Sequence, residues 1–81
     1  MEFTVRNAES TGGWVAELMN AGFRVQWRPV AFGQTRYTVK TDADFIQFDQ
    51  APTRGRKVRF DAPSDGQQRI IDALKAARVF A

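Results

Sequence analysis

The middle of the chain alternates between apolar and cationic residues. The apolar positions are Phe23, Val25, Trp27, Tyr37, Val39, Val58 and Phe60, and the polar positions between them are Arg24, Gln26, Arg28, Arg36, Thr38, Lys40, Lys57 and Arg59. Because successive side chains of a β-strand point to opposite sides, a period of two predicts strands with one apolar and one cationic face. We therefore predict a sheet whose uncovered face gathers six positive charges.

The length and composition limit the size of the core. A chain of 81 residues is expected to form one domain over residues 1–81, in which seven Phe, two Trp and one Tyr supply the large apolar side chains. No apolar run approaches the ~18 residues that a membrane-spanning helix requires, and the N-terminal residues lack the basic and apolar parts of a secretion signal. We therefore expect a cytoplasmic protein that does not enter a membrane.

The chain contains neither cysteine nor histidine. Their absence excludes disulfides, thiol nucleophiles, zinc sites made from these residues and Ser-His pairs. Three carboxylates, Asp42, Asp44 and Asp49, lie close together in the sequence and suggest a Mg²⁺ or Ca²⁺ site, but their spacing departs from the calcium-loop pattern. We therefore expect them in Asx turns and at strand ends. We expect no enzymatic activity, no metal and no cofactor.

The order of the predicted elements indicates an α+β fold. We predict strands at residues 2–6, 23–30, 35–41 and 56–61, a strand or helical turn around residues 45–48, and helices at residues 12–21 and from residue 64 onward. Ser10 or Thr11 is expected to cap the first helix, Gly22 to end it, and Ser64 with Gln67 to form a capping box for the second. Since the helices must bury their apolar stripes, we expect a two-layer sandwich, in which an antiparallel sheet of three to five strands carries both helices on one face.

The cationic face is the leading candidate for a binding site. Its charged members are Arg24, Arg28, Arg36, Lys40, Lys57 and Arg59. Lys and Arg on adjacent strands can neutralise successive phosphates, and Gln26 and Thr38 between them can donate hydrogen bonds to a nucleic acid. The alternative is a solvated face that prevents edge-to-edge aggregation, with Glu2, Asp49 and Asp61 partly neutralising it.

A second basic segment lies just before the last predicted strand. Arg54, Arg56, Lys57 and Arg59 place four positive charges within six residues, next to a flexible Gly55. Such a cluster suits phosphates or an acidic protein surface, but it is also typical of a solvated turn.

The predicted hairpin carries an apolar tip between Arg28 and Arg36. Its Phe32 could protrude and stack on an unpaired base, or enter a pocket of a partner protein. It could also fold back over the core beside Trp27, which is the placement that we favour.

The section from Gly12 to the C-terminus resembles the helix, three-strand, helix layout of the double-stranded-RNA-binding fold, particularly the small toxins called HicA or YcfA-like mRNA interferases. The resemblance is carried by Gly22-Phe23 at the end of a short helix, the hairpin that follows, and the strand Val58-Arg59-Phe60-Asp61-Ala62-Pro63, which runs into a proline before the closing helix. In that family a glycine in the hairpin is followed by a catalytic histidine, whereas this chain has Gly33-Gln34-Thr35-Arg36-Tyr37. The resemblance therefore implies RNA binding without RNA cleavage.

Three kinds of partner remain open on the sequence alone. The first is RNA or DNA, bound by a small non-enzymatic module through its basic sheet face and basic loop with little sequence preference. The second is an acidic protein surface, on which the chain docks as a small inhibitor or adaptor of the type encoded by phages and mobile elements against host defences. The third is a second copy of the chain in a homodimer.

Overall fold

The strands and helices follow the predicted order. The computed structural model describes residues 1–81. Its elements are β1 (Glu2–Val5), α1 (Trp14–Asn20), β2 (Arg24–Pro29), β3 (Thr35–Lys40), β4 (Phe45–Gln50), β5 (Arg56–Arg59) and α2 (Asp65–Ala76), with a 3-10 turn at Ala8–Ser10 and a tight turn at Ala31–Gly33 in which Phe32 has a left-handed backbone. Two helices combined with antiparallel strands confirm the α+β fold class, and the undecided segment around residue 45 is a strand.

The strands form two sheets instead of one. β2, β3 and β4 make an antiparallel meander in that order, while β5 pairs with β1. The other edge of β1 is covered by the C-terminal residues, because the Thr4 amide donates to the Ala81 carbonyl and the Ala81 amide donates back to Thr4, both at 2.9 Å. The prediction that Lys57 and Arg59 share a sheet face with the other cations is therefore wrong. Alternation along a strand predicts which side chains share a side, but it does not predict which strand pairs with it in the sheet.

One apolar core joins both sheets and both helices. It contains Val25, Val39, Ile46 and Phe48 from the inner side of β2–β4, Trp14 and Leu18 from α1, Ile70, Ile71 and Leu74 from α2, and Val5, Val79 and Phe80 from around the second sheet. α1 packs against β2 and α2 against β4. Since both helices lie on the inner side, the other side of the three-stranded sheet remains open to solvent.

Phe80 connects the two sheets at the centre of the core. Its ring centroid lies 5.1 Å from that of Phe48 on β4. It also lies 5.4 Å from Phe3 on β1 and 6.0 Å from Phe60, which follows β5. The side chain is 3% exposed, so one residue near the C-terminus is buried between both sheets.

Local sequence determines where α1 ends and where α2 begins. Gly22 has a φ of 97°, its amide donates to Met19 and the Phe23 amide donates to Leu18, which is a Schellman motif. At α2, the amide of Gln67 donates to Ser64 Oγ and the amide of Ser64 donates to Gln67 Oε1, as the capping box predicts. Neither helix combines the length and the apolar character needed to cross a bilayer.

The predicted N-cap of α1 is wrong. The side chain of Asn7 caps a 3-10 turn at Ala8–Ser10, so α1 begins later, after Gly13 with a φ of 85°. Thr11 is buried, and its hydroxyl donates to the Asn7 carbonyl at 2.9 Å and accepts from Gln50 Nε2 at 2.8 Å. The Thr11 hydroxyl thus accepts a hydrogen bond from the buried amide of Gln50 instead of capping the helix.

Candidate functional site

The outer side of the three-stranded sheet presents three rows of side chains, which we call the open face. The strand registers align Arg28 with Arg36 and Asp49, Gln26 with Thr38 and Gln47, and Arg24 with Lys40 and Phe45. The middle row is held by a hydrogen bond from Gln47 Nε2 to Thr38 Oγ1 at 3.1 Å. Cations therefore occupy the two outer rows, and uncharged polar groups lie between them.

The open face carries the whole charge excess of the chain. It has four cations and one carboxylate, Asp49, out of twelve basic and nine acidic residues in the chain. The rest of the chain therefore has eight of each sign, so the formal net charge of +3 equals the charge of this one face. A solvated surface usually mixes both signs, so this segregation distinguishes the open face from the rest of the molecule.

Asp49 and Arg36 form a two-pronged ion pair on neighbouring strands. Arg36 Nε donates to Asp49 Oδ1 at 2.8 Å, and Arg36 Nη2 donates to Oδ2 at 3.1 Å. The hydrogen bond from Arg36 lowers the pKa of Asp49, partial burial opposes this, and the positive charges of Arg36, Arg56 and Arg28 lower it further. The carboxylate therefore stays ionised at neutral pH and orients Arg36 on the sheet surface.

Arg56 extends the basic surface at this end of the sheet. It lies on β5 opposite Val5, yet its guanidinium donates to the side-chain oxygen of Gln34, just before β3. Gln34 is 6% exposed, so its amide is a buried acceptor that fixes the direction of Arg56. The positive charges of Arg36, Arg56 and Arg28 thus all act on a single carboxylate, Asp49.

Shallow depressions mark both cationic ends of the open face. One, of about 240 Å³, is lined by Gln26, Trp27, Arg28, Arg36 and Thr38. The other, of about 100 Å³, is lined by Gly22, Phe23, Arg24, Lys40, Thr41, Asp42 and Arg69. In the second, Arg24 donates to the Thr41 carbonyl at 2.9 Å and lies 3.9 Å from Asp42, while Arg69 lies over the Phe23 ring.

The predicted site residues fall into two groups. Arg24, Arg28, Arg36 and Lys40 lie together on the open face, and Arg56 reaches its edge. Lys57 and Arg59 lie instead on the second sheet, opposite Thr4 and Glu2, and Arg59 Nε is 3.3 Å from the carboxylate of Asp61. Arg54 is exposed in the turn between β4 and β5. The expected neutralisation by Asp61 and Glu2 therefore falls on the second sheet, while Asp49 neutralises Arg36 on the open face.

Phe32 does not fold back over the core. It is 92% exposed, with φ 63° and ψ 32°, and Gly33 after it has φ 71°. Positive φ at both central residues is the signature of a type I′ turn, which directs the ring away from the sheet. The placement beside Trp27 is therefore wrong, because turn geometry decides the position of Phe32.

Phe45 is a surface residue outside the predicted site. It is 58% exposed on the open face, opposite Lys40, whereas its neighbours Ile46 and Phe48 are buried. The alternation of Phe45, Gln47 and Asp49 with buried residues is the signal that could have identified it.

Comparison with known proteins gives no further identification. No protein-family model matches the chain, and neither a curated protein nor a solved structure matches it. The resemblance to HicA-like proteins stays a prediction, and the candidate function depends on the geometry and charge of the open face.

Proposed function

We propose that this protein is a small non-enzymatic module that binds nucleic acid through the open face, mainly by contacts to phosphates. The observation that carries the proposal is the charge distribution, in which the entire formal excess of +3 lies on one uncovered sheet surface. A compact positive surface releases condensed counterions when it neutralises a phosphate backbone. Such binding has little sequence preference.

The dimensions of the open face suit a short stretch of backbone. The two cationic rows are four residues apart along β3, or about 14 Å at ~3.4 Å per residue. A strand of duplex DNA rises about 3.4 Å per nucleotide, so about four phosphates lie along this length. Arg24, Arg28 and Lys40 offer charges that are not held in a two-pronged pair, and Arg36 adds a fourth.

The salt dependence of binding tests the proposal. With three or four phosphate contacts, log K should fall with log salt concentration with a slope of about −2 to −3.5. The double variant R28Q/K40Q should make this slope shallower by about 1.5 to 2, because two contacts are removed. Fluorescence anisotropy with labelled oligonucleotides at several salt concentrations measures both quantities.

A charge-matched variant provides the control. K75Q/R78Q removes two positive charges near the C-terminal end of α2, away from the open face, and should leave the slope within about 0.5 of the original. Equal effects of the two double variants would reduce the binding to non-specific attraction by net charge, and the proposal would be rejected. Light scattering in parallel establishes whether the predicted homodimer exists.

The HicA-like layout favours RNA among the nucleic acids. RNA and DNA oligonucleotides of the same sequence test this preference directly. A tighter complex with RNA supports it, and equal affinities contradict it without affecting the phosphate-binding proposal.

Docking on an acidic protein surface, as an inhibitor or adaptor, is the second candidate function. The observation in its favour is Phe32, which is 92% exposed at the tip of the hairpin between Arg28 and Arg36. Aromatic and arginine residues are typical anchors of protein interfaces. Affinity purification from the native host, with and without nuclease, distinguishes the two: a nuclease-resistant partner that is lost with F32A supports the protein-docking function.

A further inference from the structure

Two exposed phenylalanine rings lie at opposite ends of the open face. Phe45 belongs to the face itself, in the row of Arg24 and Lys40, and is 58% exposed. Phe32 is 92% exposed at the tip of the β2–β3 hairpin, beyond the row of Arg28 and Arg36. Cations therefore accompany each ring.

The core does not account for either ring. Phe45 points to the side opposite the buried residues of β4, and the helices cover only that buried side. Phe32 occupies the first central position of a turn with positive φ, where asparagine is the preferred residue and an aromatic ring gains no packing. Residues that break a local rule without a gain in packing are expected at functional sites.

The form of nucleic acid that these rings fit is the single strand. In a duplex the base faces are already covered by neighbouring base pairs, whereas unpaired bases can stack on aromatic side chains. β3 alone spans about 17 Å between Lys40 and Thr35 at ~3.4 Å per residue, so the rings are far enough apart to stack on different bases of one strand. Gln26, Thr38 and Gln47 between the cationic rows can contact base edges or sugars.

We infer that the open face binds single-stranded nucleic acid, with unpaired bases stacked on Phe45 and Phe32 and the connecting phosphates held by the flanking cations. The inference rests on the proposed function and specifies its substrate. The rings supply the preference for single strands, and the cations supply the salt-dependent part of the affinity.

The test compares a 12-nucleotide single strand with a duplex of the same sequence, each as DNA and as RNA. Wild type should bind the single strand more tightly than the duplex. F45A and F32A should each weaken single-strand binding at least about fivefold, leave duplex affinity within about twofold and leave the salt slope unchanged, because stacking involves no counterions. F45W should restore single-strand binding.

Controls separate this inference from the proposed function. M19A removes an apolar side chain that is 49% exposed on α1, on the covered side of the sheet, and should change neither affinity. Circular dichroism confirms that each variant is folded. If both phenylalanine variants bind single strands as wild type does while R28Q/K40Q still weakens binding, the stacking inference is overturned and the proposed function stands. If wild type binds neither form, the proposed function fails as well.

Discussion

At the scale of single residues, Phe32 is the clearest conflict between local preference and observed conformation. A left-handed backbone costs an ordinary residue about 1–2 kcal/mol, and asparagine tolerates it much better. The following Gly33 adopts φ 71° without such a cost. Phe32 therefore lowers the stability of its own turn.

Replacing Phe32 by asparagine should stabilise the protein. F32N creates Asn-Gly, the dipeptide most suited to a type I′ turn, and removes a ring that is 92% exposed. We expect the free energy of unfolding to rise by about 0.5–1 kcal/mol, measured by urea denaturation. A fall in stability would mean that the ring packs on the molecule.

Asp49 should make part of the stability dependent on pH. Its pKa in the folded protein lies below the ordinary value of 3.8, chiefly because Arg36 donates hydrogen bonds to it. The ionised pair therefore contributes fully above 3.8, and the contribution is lost as the pH falls through the lowered pKa. The difference in free energy of unfolding between wild type and D49N should be constant from about pH 7 to about pH 5 and shrink below about pH 4.

Urea denaturation at a series of pH values measures this difference. A difference that stays the same down to the lowest pH would contradict the assigned role of the pair. The same variant removes the one carboxylate of the open face, so it should also strengthen nucleic-acid binding at low salt.

At the scale of elements, the start of α2 depends on a residue from the turn before β4. Asp44 Oδ1 accepts a hydrogen bond from Ser64 Oγ at 3.0 Å, and its carboxylate lies beside Gly66. A Cβ added to Gly66 would overlap this carboxylate, since it would lie 2.7 Å from Asp44 Cγ. The turn and the helix are thus fitted together around a position without a side chain.

The effect of G66A should change sign with its neighbour. In wild type the new methyl group displaces Asp44, and we expect destabilisation by about 1 kcal/mol through the lost hydrogen bond. In a D44A background the same substitution should raise the free energy of unfolding by up to about 1 kcal/mol, because alanine has a higher helix propensity than glycine. Thermal or urea unfolding of wild type, G66A, D44A and the double variant measures this difference. Additive effects of the two substitutions would contradict the predicted change of sign.

Helices and strands with local sequence signals could be predicted from the sequence, whereas the pairing of distant strands could not. The capping box of Ser64 and Gln67 and the Schellman motif at Gly22-Phe23 each lie within a few residues. The local sequence therefore predicts the start of α2 and the end of α1. The pairing of β1 with β5 joins residues more than fifty positions apart, such as Glu2 and Arg59, and no local pattern encodes it. Alternation along β2 and β3 therefore predicts that Arg24, Arg28, Arg36 and Lys40 share one face, but it cannot place Lys57 and Arg59, which lie on the second sheet.

At the scale of the whole molecule, Phe80 holds the two sheets on one core. F80A should lower the free energy of unfolding by about 3–5 kcal/mol, because it leaves a cavity among Phe48, Phe3 and Phe60. F45A, which removes the same side chain from the surface, should cost less than about 1 kcal/mol. Urea unfolding curves compare the two, and equal losses would contradict this assignment of the core.

The bonding of β1 to both β5 and the C-terminal residues determines the order in which the molecule can assemble. β2, β3 and β4 are successive neighbours in the chain, so their meander, including the open face, closes over short loops. β1 leaves the ribosome before the other strands yet has no strand partner until residues 56–59 and 79–81 have been synthesised. Since long loops are slow to close, we expect the open face to form early and the pairing of β1 to limit the folding rate.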